Sequence, residues 1–282
     1  MVAEKAGLGG ESIIKKAYDG TYGAMVEDFK SYSGLFPGPD AGKFTLGAAS
    51  LYGYDAFVRD SMLPVIAPIH ELMHALTVEA TGGDVNYIAL EPGLGAEYWK
   101  ELYAPFTESS NLEGCNGLTG WDATYYPDLS PGLNELANLG QEGLVSVAPY
   151  LAATTLGIYL LQEGKSRKSL PIGFLGGALL TENIGGMASR TSDYRQFGEH
   201  LYSIVLDKLD ALADGIGLGD IPIDVPDTTA LGGIVFGLAV LGLVYGVSRK
   251  GVNFTRKIAA SYKSRKDADA SLVPEKQEAG VN

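Results

Sequence analysis

The apolar positions of this chain are gathered into long runs rather than spread evenly along it. Thr228 to Ser248 is 21 residues without a charge, and at about 1.5 Å of rise per residue a helix of that length crosses the ~30 Å hydrocarbon layer of a bilayer. Gly143 to Gln162 is a second uncharged run of similar length. Its Pro149 is tolerable because neighbouring helices can satisfy the carbonyl that a proline frees. Leu170 to Ala188 is apolar except for Glu182 and Asn183, and Met62 to Val78 is apolar except for His70, Glu71 and His74. Both read as spans that carry polar groups for a purpose, because ionisable side chains in hydrocarbon are costly unless they pair or bind something. Phe44 to Val58 is short and holds Asp55, so an interfacial helix, a re-entrant helix and a fifth span all stay open. The pattern predicts an all-α polytopic membrane protein of four transmembrane helices, or five if 44–58 enters the bilayer.

The basic residues orient these spans. Between Gly83 and Glu163, Lys100 is the only basic residue against eleven acids. The connection after 162 carries Lys165, Arg167 and Lys168, and eight Lys and Arg follow Ser248. Positively charged segments stay on the cytoplasmic side. The expected organisation is an N-terminal cytoplasmic or interfacial segment, 1–61, with no cleavable leader, and a core, 62–200, with an extracytoplasmic insertion at 83–142. An acidic extracytoplasmic connection, 201–227, a C-terminal span, 228–248, and a basic, solvated cytoplasmic tail, 249–282, complete it. Within the insertion Val85, Tyr87 and Ala89 alternate like a short strand, and the Gly, Pro, Asn and Tyr content beyond them suggests a small irregular segment. Gly233 with Gly237 and Gly242 with Gly246 have the four-residue spacing that lets helices approach closely in lipid, which would suit an oligomer; Gly173 with Gly177 repeats it.

Charge and cysteine content narrow the chemistry. The formal charge of −13 recommends no nucleic-acid partner. The single cysteine, Cys115, can make no internal disulfide and leaves too few thiolates for an iron-sulfur cluster or a cysteine-rich zinc site. Any metal rests on carboxylates and on His70, His74 and His200, the three histidines present.

Residues 70–75 read HELMHA. On a helix, His70 and His74 project from one face about a turn apart, so both imidazoles can grip one zinc ion. Glu71 lies about 100° around the helix, close enough to take a proton from metal-activated water without being a ligand. The implied reaction is hydrolysis of a peptide bond. Pro64 and Pro68 remove backbone donors from the first turns, so the helix either kinks there or begins late.

These residues resemble the site-2 protease family of intramembrane zinc metalloproteases, over roughly residues 60 to 200. HELMHALTVEATGGDVNYIAL is similar to that family's histidine helix, glycine turn and short strand, 143–162 to its intervening span, and ASRTSDYRQFG to its ligand-bearing helix. The resemblance implies Asp193 as third zinc ligand, Glu71 as the catalytic base, and a membrane-associated protein as substrate. Other donors stay open: Glu142, which would make the chain like a gluzincin membrane protease acting on extracytoplasmic segments, Glu182, and His200. A third reading is a non-enzymatic scaffold or transporter-like protein in which HELMH holds a structural ion or none.

Overall fold

The computed structural model describes residues 18–112, 115–188, 196–204 and 229–271, with Lys15, Asp193 and Leu206 as isolated positions. Most of the 201–227 connection, the end of the tail and the first residues of the chain lie outside them. A π-helical turn, Asp19–Gly23, leads into α1 (Ala24–Ser33). Then come α2 (Asp40–Phe57), α3 (Arg59–Ala80), β1 (Asp84–Leu90), α4 (Ala96–Lys100), β2 (Phe106–Glu108), β3 (Gly117–Asp122), α5 (Pro131–Arg167), α6 (Leu170–Ala188) and α7 (Thr229–Ser271). The molecule is mostly helical. Among the described residues, two helices are long and apolar enough to cross a membrane, α3 with 22 residues and α5 with 37.

The long helix α5 is the post against which the bundle is built. It starts at Pro131, where a proline costs no helical hydrogen bond, so the last part of the expected insertion, 131–142, is already helix. Its far end closes on Lys168, the one non-glycine residue in the left-handed region among those described, at φ 52°. α6 runs back along α5 at close range: a Cβ on Gly164 would come within 2.5 Å of the Gly173 nitrogen, and one on Gly176 within 2.7 Å of the Gly157 carbonyl. Glycine is what permits that approach. α7 runs parallel to α5, joined by Thr155 to Ser248 at 3.0 Å and by Arg256 to Glu163 at 3.0 Å.

The structure adds detail that the sequence did not show. The stretch 249–271 continues α7 as a largely exposed helix, in keeping with the high helix propensity of its Lys, Arg and Ala. Helices α1 and α2 join the bundle: Tyr32 is buried, Asp28 accepts the Tyr245 hydroxyl, and the Tyr54 ring packs edge-on to Phe174. Gly242 and Gly246 lie against Tyr22 and Thr21 of the same chain, so they serve packing within it.

The described part of the insertion forms a sheet rather than an irregular segment. β1 is the centre of a three-stranded sheet in the order β2-β1-β3, parallel to β2 and antiparallel to β3, with a register irregularity between Val85 and Tyr87. Ile88, Ala89 and Leu90 are buried in sequence, because a central strand packed on both faces loses the apolar-polar alternation. Its apolar residues meet Ala67 and Ala75 of α3.

The sheet and α4 lie along the flank of α3. At one end the Tyr103 hydroxyl donates to Glu79; burial and that carboxylate push the phenol up to about 12. At the other end Trp99 Nε1 donates to the Pro64 carbonyl at 3.4 Å. That carbonyl is free because its usual helical partner would be the N–H of residue 68, which is a proline. Helix α3 begins at Arg59 and continues through both prolines, so the late-start alternative is not what occurs.

Candidate metal centre

His70 and His74 sit one turn apart on α3 with ring centroids 4.8 Å apart and their Nε2 atoms at 3.1 Å. The Nδ1 atom of His74 lies 2.7 Å from the Val145 carbonyl on α5. A carbonyl only accepts, so that nitrogen carries the hydrogen and Nε2 keeps its lone pair. The tautomer required of a ligand is thus set from a neighbouring helix.

Asp193 completes a triangle. Its Oδ2 lies 3.0 Å from His70 Nε2 and 3.3 Å from His74 Nε2. The Tyr150 hydroxyl donates to the same oxygen at 3.1 Å, while its ring meets His70 edge-on at 5.2 Å. Ligands about 2.0–2.1 Å from a tetrahedral zinc stand about 3.3 Å from one another. The three edges found here, 3.0, 3.1 and 3.3 Å, fit that ion with little adjustment.

Glu71 is buried beside the imidazoles, and strand β3 seats it. The Thr119 hydroxyl is 2.8 Å from Glu71 Oε2 and 3.1 Å from its backbone carbonyl. Gly117 lies directly against the carboxylate: a Cβ there would come within 2.6 Å of Glu71 Cγ and 2.9 Å of Oε1. The carboxylate and both imidazoles offer ligand atoms within 4.8 Å of one another. A cavity of about 510 Å³ opens over the group, lined by His70, Glu71, His74 and Asp193, by Tyr150, and by β3 residues Gly117, Thr119 and Trp121.

The other candidate donors are engaged elsewhere. Glu182 pairs with Arg59 at 2.9 Å, and its second oxygen is buried without a hydrogen-bond partner among the described residues. Glu142 and His200 face each other at 3.5 Å at the cavity's edge. The side chain of Asn183 lies outside the described residues.

No protein-family model, curated protein or solved structure matches this chain. The reading of the site therefore rests on its own atoms. Several of them carry no sequence signal. Thr119, Gly117 and Tyr150 belong to no motif, and the Val145 contribution is a main-chain oxygen, which any residue supplies.

Proposed function

We propose that the chain is a zinc-dependent, membrane-embedded endopeptidase that cleaves membrane-associated polypeptides. The observation that carries this is the convergence of two imidazole nitrogens and a carboxylate oxygen within 3.3 Å of one another, beside a seated glutamate at an open cavity. Such a set is satisfied at once by a divalent cation, and two nitrogens with one oxygen suit zinc. Zinc so held supplies Lewis acidity and makes water a nucleophile near neutral pH. His70, His74 and Asp193 would hold the metal. Glu71 would take the proton of the attacking water and return it to the departing amine. Thr119 occupies one carboxylate oxygen and leaves the other for that traffic. β3 is the terminal strand of its sheet and lines the cavity, so an extended polypeptide added along its outer edge would lay a peptide bond beside Glu71.

The membrane reading takes 62–82 and 170–188 as running outward and 143–162 and 228–248 as running inward, with α3 set further toward the outer side than α6 and the basic stretch of α7 cytoplasmic. The direction of the helices supports it: α5 and α7 are parallel to each other and antiparallel to α3 and α6. The test is zinc content and cleavage measured on the same preparation in lipid vesicles. About one zinc per chain is expected, with Glu71→Gln retaining the metal and losing cleavage. A chain that takes up no zinc, or Glu71→Gln cleaving undiminished, overturns the proposal.

A further inference from the structure

We infer that a pocket between α1, α5 and α7 binds the phosphate of an anionic phospholipid on the basic side of the molecule. This rests on the membrane reading above and not on the peptidase chemistry. The chain carries −13 overall, yet residues 24–35, 160–168 and 249–265 together hold ten basic residues against three acidic ones. The fold brings these three stretches to one end, where a cavity of about 420 Å³ is lined by Glu27, Asp28, Lys30, Ser31, Lys165 and Arg249, among others.

The charges in that cavity are not equivalent. Arg249 is held by Glu27 at 3.1 Å and by Asp28 at 3.4 Å, and Asp28 also accepts the Tyr245 hydroxyl. These groups answer one another. Lys30 and Lys165 have no carboxylate within ion-pair distance among the described residues; the Lys165 ammonium donates to Ser31 Oγ at 3.2 Å. Two ammonium groups without an ion pair among the described residues, the Lys165 one also in the field of Asp28, and a hydroxyl form a donor set that a phosphate oxyanion would suit.

Depth selects the lipid over a free anion. Leu161 and Gln162, the last residues of the apolar run of α5, line the pocket with Lys165, so it lies level with the edge of the hydrocarbon, where headgroup phosphates are found. Helix α7 passes this level with an exposed apolar stripe that does not stop at the first basic residue: Leu243 and Val247 are followed by Phe254, Ile258 and Tyr262 on the same face, with Lys250 and Lys257 beside them. A stripe of this kind suits acyl chains and the headgroup boundary, and a soluble phosphate would make no use of it.

The test uses the full chain in nanodiscs of phosphatidylcholine with and without phosphatidylglycerol, with bound lipid counted by native mass spectrometry. The wild type should retain phosphatidylglycerol preferentially, and Lys30→Gln with Lys165→Gln should lose about thirty-fold of that preference, the effect of two basic groups at an anionic surface. Lys30→Arg with Lys165→Arg should keep it. Lys263→Gln with Arg265→Gln, an equal charge change outside the pocket, should change it less than about threefold. Equal losses from the two Gln pairs, no preference in the wild type, or displacement by millimolar inorganic phosphate would each overturn the assignment. Extraction of the chain from vesicles by alkaline carbonate would instead remove the membrane reading, and the lipid with it.

Discussion

His70 and Asp193 meet at 3.0 Å across 123 positions of chain, and Arg59 meets Glu182 at 2.9 Å across the same 123. Glu182 and Asp193 therefore meet α3 in the same order along the chain and at the same separation. The matched pairs explain how a carboxylate beyond the apolar run 170–188 reaches histidines in the middle of another: α3 is displaced along its axis, so that its start lies beside the end of α6. Arg59 and Glu182 fix that displacement. Arg59→Met leaves Glu182 partly buried without its cation and should cost about 1–2 kcal/mol, allowing for the exposure of the arginine. Arg59→Met combined with Glu182→Met should recover most of the loss. Unfolding of the four variants in detergent checks this, and simple additivity of the two single changes would contradict it.

Strand β3 should control the base without touching the metal. Thr119→Val removes a hydrogen bond to a carboxylate, worth about 1.5–3 kcal/mol, and is expected to lower kcat by about ten- to a hundred-fold with zinc content unchanged. Thr119→Ser should restore most of it. Gly117→Ala puts a methyl group within 2.6 Å of Glu71 Cγ and should be the more damaging change. Zinc loss in Thr119→Val would show that the strand supports the ligands as well.

Removal of the metal should be visible in stability as well as in activity. A ligand present at a thousand times its dissociation constant stabilises the folded state by about 4 kcal/mol, so a chelator is expected to lower Tm, and zinc to restore it. Magnesium should not restore it, since that ion prefers an all-oxygen shell. An unchanged Tm after verified zinc removal would argue against a site built from α3 and the Asp193 segment together.

The Tyr103 phenol should titrate late. Its folded value, about 12, is above the ordinary 10, so folding favours the neutral form. Its contribution is complete below about pH 10 and fades as the pH rises through 12. The difference in alkaline ultraviolet titration between wild type and Tyr103→Phe should report one phenol near 12; a difference centred at 10 would mean that the contact with Glu79 does not form.

Much of the helical framework was legible because long uncharged runs leave few alternatives to a helix. The pairing of His70 with His74 was legible because four residues bring two side chains to one face of a helix. The sheet was half legible: Val85, Tyr87 and Ala89 suggested a strand, but the glycines read as irregular are close-approach positions, such as Gly117 beneath Glu71. Asp193 could be named only by analogy, since nothing local distinguishes it from other acids. Pairings such as Arg59 with Glu182 depend on how helices are shifted against one another, and single-residue patterns hold no record of that.

Gly117 carries a last consequence. The acid at the heart of the site and the ribbon beside it share one volume, so neither can drift in sequence alone. Any lineage that enlarges residue 117 must also surrender or rebuild Glu71, and engineered changes of specificity along this ribbon will have to spare that one bare position.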